Sequence, residues 1–508
     1  MAVTQIPNEL IEFGVKTFGT SSIMLGDTTT GTIDAANYNV GLGVDVFAAL
    51  TTGDRNTAIG FASMDATTTG SDNTAVGNGS LGANTTASCN VAFGSSALTA
   101  NTTGANNVGL GCDALAANTT ATGNTAVGTS ALAANTTAEE SVAIGAFALD
   151  SLSGSNGGQT AVGYGAIGAL TSGAVNTAVG QLAMGNTTTG GYNAVLGRRA
   201  LVDNTTGAEN TAIGYAALGA NTTASNNTAV GGECMDGNTT GTQNTAIGKA
   251  AMGANTTGNY NTALGAYALD GMDGENYNTA VGWDAAGGSG FNAIETVCVG
   301  RSAGNSITNA SYSTIVGAEA GDNITTGTGN TCIGFQARAG AATNYNEITI
   351  GNQGVGNGNN TVTLAAGSTE TYIGLGQSTW LSSSDERLKE NITDSTAGLS
   401  FINDLRPVTF TWKNKGDIPS TLKGYEEGST ETYNLNDSTL HGFIAQEVKA
   451  VIDDHSEIKD GQEIWSEKAC GTQALAPTGL IPMLVKAIQE LKSKNDALEA
   501  RITTLEGE

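Results

Sequence analysis

Ser141-Val142-Ala143-Ile144-Gly145-Ala146 is one copy of a stretch that recurs along most of this chain, and its glycine returns every 17 residues. The glycine stands at 26, 43, 60, 77, 94, 111, 128, 145, 163, 180, 197, 214, 231, 248, 265, 282, 300, 317, 334 and 351, with only the steps 145 to 163 and 282 to 300 measuring 18. A period this strict makes each repeat one coil of a solenoid, which cannot bury its own apolar surface and must stack on its neighbours. Twenty coils at the ~4.8 Å spacing of paired strands predict a rod roughly 95 Å long. Such a shape suits a spacer or a display surface better than a buried enzyme pocket.

The columns around the glycine describe the coil. The residue before it is large and apolar in every repeat, as in Leu25, Ile59, Val76, Phe93, Ile144, Val230 and Ile350. Three positions before it stands a β-branched residue in every repeat except the one with Ala194. Alternation at period two predicts a strand, which the glycine breaks into a turn. A second apolar column lies four residues after the glycine, running from Phe47, Met64 and Leu81 to Leu269. It fades at Ala286, Gly304 and Gly321, so the last coils are expected to be built differently.

Small residues accompany each large column. Ala58, Ala75, Ala126, Ala143, Ala178 and Ala280 run beside the first, and Ala97, Ala114, Ala131, Ala183, Ala251 and Ala268 beside the second. A thin roll has one interior, so the large residues are expected to fill it and the alanines to line its outside. Two outer alanine stripes would let sister rolls pack closely, which points to an obligate oligomer. Alanine merely tolerated on a solvated face is the plainer alternative.

Asn occupies the position four before the glycine in 14 of the 20 repeats, including Asn56, Asn73, Asn124, Asn176, Asn244 and Asn278. It tolerates left-handed backbone and bonds its own chain, so it belongs at a coil corner, where stacked copies can form amide ladders. The Asn-Thr-Thr runs at Asn84, Asn101, Asn118, Asn135, Asn186, Asn204, Asn221, Asn238 and Asn255 mark the opposite loop. They match the glycosylation sequon but read as a structural loop signature. Aligned threonines also raise ice binding. However, adjacent threonines point to opposite faces, whereas a flat ice-ordering array needs them on one.

The Ser141 stretch and the Asn-Thr-Ala-Val-Gly copies resemble the head repeats of trimeric autotransporter adhesins, over roughly residues 20 to 352. The resemblance implies a left-handed parallel β-roll in which three chains associate. The period here is longer than is usual in those heads. The first twenty residues show no basic region followed by an apolar core, so no secretory leader or membrane insertion is expected.

Composition changes near residue 383, from 7 Lys+Arg and 25 Asp+Glu before it to 13 and 22 after it. Four of the five prolines and both histidines lie beyond residue 400, which marks a boundary between a charge-poor rod and a small α+β domain. A formal charge of −27 argues against nucleic acid or an anionic membrane as partner. The six cysteines, at 89, 112, 234, 298, 332 and 470, form no CxxC pair and are read as buried free thiols from a reducing compartment. No metal or cofactor is expected.

The boundary carries Ser382-Ser383-Ser384-Asp385-Glu386-Arg387-Leu388-Lys389-Glu390-Asn391-Ile392. Downstream come Asn403-Asp404-Leu405-Arg406-Pro407-Val408 and His441-Gly442-Phe443-Ile444-Ala445-Gln446-Glu447-Val448. In that order the three closely resemble the intramolecular chaperone auto-processing domain of phage tailspikes and tail fibres, across about 378 to 508. The resemblance implies a single-turnover cut between Ser383 and Ser384, with Ser384 as nucleophile and Lys389 as base. A lysine acts as base near neutrality only if burial or neighbouring charge lowers its pKa well below ~10.4. Trimer assembly could supply that burial. Gln446 is a candidate for supporting the site; the plainer alternative is that its motif only packs the core.

The final segment has heptad spacing at Leu484, Ile488, Leu491, Asn495, Leu498, Ile502 and Leu505. Ile at a with Leu at d would favour two strands, against the three-fold symmetry implied by the roll, and we weight the roll. A C-terminal trimeriser would solve a register problem, since near-identical coils can pair one repeat out.

The expected organisation is an N-terminal attachment or cap segment (1–22), a β-roll shaft (23–352), a distal tip or linker (353–383) and a chaperone domain (384–508) with a coiled coil at 484–505. The expected fold is mainly β, a trimeric solenoid followed by a small α+β domain. The expected protein is a bacteriophage tail fibre, a virion appendage assembled in the host cytoplasm that meets tail or baseplate proteins and a host-surface receptor, expected to be a glycan. Tyr372 and Trp380 are candidate receptor contacts by ring stacking, or simple cap packing. The alternatives are a non-viral trimeric adhesin or structural fibre without proteolysis and, remotely, an ice-binding solenoid.

Overall fold

The computed structural model describes residues 14–18, 20–26, 35–367, 369–374, 377, 381–382, 384, 386–422, 424–434, 438–459, 464–468 and 472–507. The chain divides into two compact units, Met1–Ser383 and Ser384–Glu508.

In the first unit three residues per repeat form a strand, as in Thr57–Ile59, Thr74–Val76 and Val91–Phe93. Each pairs in parallel with the strand of the next repeat, so that Thr57 faces Thr74, Ala58 faces Ala75 and Ile59 faces Val76. The 18-residue steps keep this register, with Val142 opposite Thr160 and Thr279 opposite Val297. The result is a β-solenoid of about twenty coils. Gly14–Phe18 lies antiparallel on the first coil strand, Ser22–Gly26. At the far end Thr361–Ala366 continues the parallel stack, and Thr369–Gly374 and Leu381–Ser382 add antiparallel strands. These terminal strands pair edges that would otherwise template aggregation.

The interior inverts the expected assignment of faces. The middle residue of each strand points inward, and Ala58, Ala75, Ala126 and Ala143 are fully buried. On the second arm of the coil Ala97 and Leu98 are both buried, as are Ala114 and Leu115. The residue before the glycine points outward, leaving Phe93 53 %, Leu110 43 % and Leu196 51 % exposed. The alternation is as read; its parity is the opposite. The reason is width: the second arm supplies a large side chain that spans the roll, and in most coils the strand position facing it takes a small residue.

The last coils show the same rule with the roles exchanged. There the strand centres are Cys298, Ile315 and Cys332, all buried, while Gly304 and Gly321 occupy the second-arm column. A Cβ on Gly304 would come 2.6 Å from the Cys298 sulfur, and one on Gly321 would come 2.9 Å from the Ile315 side chain. Burial pushes the Cys234, Cys298 and Cys332 thiols up to about 12, so they stay protonated. Cys89 and Cys112 are free but exposed, which corrects the expectation for those two; Cys470 lies outside the described residues.

The periodic glycines all have φ between 129° and 147°. A Cβ on Gly94 would sit 2.3 Å from the carbonyl oxygen of Gly111 one coil on, and the same contact repeats up the stack. Only glycine allows both the conformation and the approach.

Buried asparagines bind coil to coil. Asn90 accepts the Asn107 backbone N–H through Oδ1 (2.9 Å) and donates from Nδ2 to the Gly104 carbonyl (3.0 Å). The left-handed residue at this corner is the one before the Asn, such as Asp72 or Asn106, and not the Asn itself. A second ladder runs through the opposite loop, where Asn118 Nδ2 donates to Asn101 Oδ1 (2.7 Å) and Asn221 Nδ2 to Asn204 Oδ1 (3.0 Å). These sequon asparagines are fully buried, whereas Asn186 is exposed and Thr187 takes its place inside. In the loop, Thr85 donates its hydroxyl to the Thr102 carbonyl, and Thr86 faces solvent.

Two substitutions in the corner ladder have physical reasons. At the first long repeat Gln159 replaces Asn, and its amide keeps the ladder's two bonds, donating to the Gly173 carbonyl (2.7 Å) and accepting the Asn176 N–H (2.9 Å). At the last, Glu347 is buried and donates its backbone N–H to Asn330 Oδ1 (3.0 Å). Its carboxylate accepts from the Gly340 and Gly358 N–H groups (3.0 and 2.7 Å) and from Asn344 Nδ2 (3.1 Å).

The second unit is built on three helices, α1 (Leu399–Asp404), α2 (Ala445–Asp454) and α3 (Ile481–Glu506), with two short antiparallel hairpins. Phe401, Val448, Ile452, Ile458, Ile464, Leu480 and Ala397 form its core. Glu490 of α3 accepts the Leu399 N–H (2.9 Å), which satisfies the otherwise uncapped start of α1. Among the described residues no helix is long and apolar enough to cross a membrane.

Removing one rung should open the stack locally. Asn90→Ala strands the buried Asn107 N–H, a loss of ~1–3 kcal/mol, while the Gly104 carbonyl keeps its bond from Asn101 Nδ2 (3.0 Å). Hydrogen exchange should then accelerate in the coils around residue 90 and leave distant coils protected, while Thr86→Ala should change neither.

Candidate functional site

The residues singled out at the boundary lie at the start of the second unit. Ser384 is exposed, and the chain after it makes one tight turn at Glu386–Leu388. That turn, closed by the Lys389 N–H on the Glu386 carbonyl (3.0 Å), brings Lys389 back over Ser384. Lys389 Nζ then donates to Ser384 Oγ at 2.7 Å, and both side chains are exposed to solvent. A hydroxyl held against an amine is the pairing that turns a serine into a nucleophile once the amine is free to take its proton. Ser383, which would supply the carbonyl, lies outside the described residues.

The other candidates are not gathered here. Gln446 is exposed in the first turn of α2, and among the described residues no hydrogen bond joins it to Ser384 or Lys389. Tyr372 is half-buried on the Thr369–Gly374 strand, paired with Thr363 and Leu381, and Trp380 lies outside the described residues. Among the described residues no group of three or more His, Cys, Asp or Glu is placed to hold a metal ion.

What the motifs do show is a pair of clasps. Arg406 and Glu447, from the second and third motifs, form a two-pronged ion pair at the surface, with Arg406 Nε 3.0 Å from Glu447 Oε2. His455, just after α2, bonds Glu457 through Nδ1 (2.9 Å) and Asp404 at the end of α1 through Nε2 (3.0 Å), with its ring edge-on to Phe401. Sequence reading missed this second clasp. The side chain is mostly buried, and its bonds to Glu457 and then Asp404 raise the His455 pKa above its ordinary value. The same bond lowers that of Glu457.

The sign follows from those directions. A raised histidine stabilises the fold fully below the ordinary ~6.5 and loses that contribution as pH rises through its folded value. Helix α2 should therefore lose hydrogen-exchange protection as pH climbs above the ordinary histidine range, and His455→Gln should flatten that dependence. Equal pH dependence in wild type and variant would remove the clasp from the account.

The comparisons bear on the same segment. No curated protein and no solved structure matches the chain. Residues 384–457 match the peptidase S74 family model, described as chaperone of endosialidase. The match opens on Ser384, at the border between the two units, and closes on Glu457. A chaperone-of-endosialidase domain behind a β-solenoid of about twenty coils is the combination that fits a tail-fibre- or tailspike-like protein.

Proposed function

We propose that this chain is a phage tail fibre or tailspike whose C-terminal unit directs assembly and then severs itself from the shaft between Ser383 and Ser384. The observation that carries the reading is a coincidence of three features at Ser384: the family match begins there, the compact units divide there, and Lys389 Nζ lies 2.7 Å from its hydroxyl. In the proposed step Lys389, freed of its proton, takes that of Ser384 Oγ, which adds to the Ser383 carbonyl carbon. The C–N bond breaks as the Ser384 nitrogen receives the proton, leaving an ester between Ser383 and Ser384 Oγ. Water hydrolyses the ester, giving a Ser383 carboxylate and a restored hydroxyl. Lys389 is exposed in the single chain, so burial on assembly is the natural trigger for its deprotonation.

We further propose that the working form is a homotrimer, with three-fold symmetry taken from the adhesin-like repeats. The supporting surface is the outward strand face, where Leu42, Val91, Phe93, Leu110, Ile144, Leu264 and their neighbours stack into a continuous exposed apolar stripe. Patches of that extent on a soluble protein mark an interface. On α3, Ala487 faces the core while Leu484, Ile488, Leu491, Leu498, Ile502 and Leu505 remain exposed, a seam suited to a coiled coil between chains. The mature shaft would meet virion proteins through one end and a host-surface glycan through its exposed surface.

Two measurements test these readings. Mass spectrometry with N-terminal sequencing should show wild-type chain as two fragments, the smaller starting at Ser384. Ser384→Ala should stay whole, and Lys389→Ala should cleave ~10²–10⁴-fold more slowly. An uncut wild-type chain would favour the structural-fibre reading instead. Sedimentation should give a trimer, and placing charge on the stripe with Phe93→Glu and Leu110→Glu together should dissociate or destabilise it. A folded wild-type monomer would overturn the assembly proposal.

A further inference from the structure

The first 383 residues carry 7 Lys+Arg against 25 Asp+Glu, so each cation in the shaft is conspicuous. Three of them are neutralised on the spot: Arg55 by Asp72 (2.6 Å), Arg338 by Asp322 (2.7 Å) and Arg301 by Glu319. Arg198, Arg199 and Lys249 are exposed and have no carboxylate at ion-pair distance among the described residues. All three lie at one corner of the solenoid, within two residues after the periodic glycine.

That corner is a single column. In successive coils it reads Tyr164, Gln181, Arg198, Tyr215, Gly232 and Lys249, aligned by the parallel pairing of the strands just before them. The Arg198 guanidinium accepts support from Gln181 Oε1 by donating Nε (3.2 Å) and lies over the Tyr215 ring at 5.8 Å. The Lys249 amine lies over the Tyr267 ring, also at 5.8 Å. Between Tyr215 and Lys249 the column falls to Gly232, where a Cβ would meet nothing within 4 Å. The backbone there is not left-handed, so nothing in the turn requires glycine. The arrangement is an open notch with a cation–aromatic pair on each side, the two cations three coils or ~14 Å apart. Glu233 is the exposed acid beside it.

We infer that this corner binds a carboxylate-bearing polysaccharide laid along the stack. Charge complementarity selects the class: unpaired guanidinium and ammonium groups on an acidic rod take a carboxylate, and the arginine fork suits it. The rings offer apolar faces to sugar, as in other aromatic recognition of amphipathic ligands. Duplex nucleic acid is disfavoured, because at one charge per ~1.7 Å it would meet far more repulsion from the acidic chain than a polymer with a single carboxylate per sugar. The inference rests on the host-contacting reading for where the polymer comes from, while the binding itself is independent of cleavage at Ser384.

The test is titration of the full-length chain, kept whole as Ser384→Ala, with polygalacturonate, neutral dextran and inorganic polyphosphate. Polygalacturonate should bind, dextran should not, and polyphosphate should bind more weakly because it has no rings to stack. Arg198→Gln and Lys249→Gln should each weaken polygalacturonate by about tenfold, the loss of one charge-assisted bond. Gly232→Glu should abolish binding by filling the notch with an acid, and Arg55→Gln, at a paired cation, should change nothing. Melting curves and sedimentation of each variant should match the parent. Polyphosphate binding as tight as polygalacturonate, or Gly232→Glu binding normally, would overturn the inference. A loss of binding accompanied by dissociation of the oligomer would overturn it too, since the corner would then be a contact between chains. Failure of the parent to bind polygalacturonate would end this proposal and leave the cleavage reading standing.

Discussion

The carbonyl of one periodic glycine stands where a Cβ on the preceding one would have to be. That single close approach sets the terms for the rest of the first unit. It demands a residue without a side chain, and the φ of 129–147° that the turn needs is one that glycine adopts freely. Because the contact repeats from coil to coil, the chain must return to the same point after each circuit, and 17 residues is the length that does so. The parallel strand register, the two asparagine ladders and the sharing of bulk across the interior all inherit that alignment. Where a circuit gains a residue, from 145 to 163 and from 282 to 300, the strand register and the glycine contact are preserved.

The period was legible in the sequence because glycine at that point tolerates no substitute. The parity of the strand was not, because Thr-Ala-Val offers an apolar residue to either face and hydrophobicity alone prefers the larger one. Width decided the matter, and width is a property of two arms facing each other. A clue was nevertheless present: Asn at four before the glycine and Ala at two before it share a face. Once the asparagines are placed inside as a ladder, the alanines must follow them. In the second unit Ser384 and Lys389 were visible as neighbours five residues apart, and a single turn closes that distance. The His455–Asp404 bond spans 51 residues and no local pattern announces it.

The two units leave the same kind of business unfinished. The solenoid's ladder asparagines are bonded within it, yet its strands present leucine, isoleucine, valine and phenylalanine to the outside. The second unit has a small core of its own, yet α3 turns a row of leucines and isoleucines to solvent. In both cases the exposed apolar row is separate from the core and runs along a regular element, as expected of surfaces shaped for other copies of the chain. On the reading proposed above, a serine–lysine pair that is open to water in one chain would report whether those surfaces have been covered.

Glu347 gives the array a full stop. An asparagine in the corner ladder both gives and receives, so any coil built on one can be followed by another of the same kind. A carboxylate can only receive, and Glu347 is satisfied by the N–H groups of Gly340 in its own coil and of Gly358 in the connection to Thr361–Ala366. Slipped by one coil, it would set oxygen against oxygen in the dry interior. The regular coils with Asn at the corner are therefore interchangeable with one another, unlike the last ones, where Cys298, Ile315 and Cys332 fill the interior. Whole repeats could be gained or lost by unequal recombination, making the shaft longer or shorter in steps of one coil without disturbing either end.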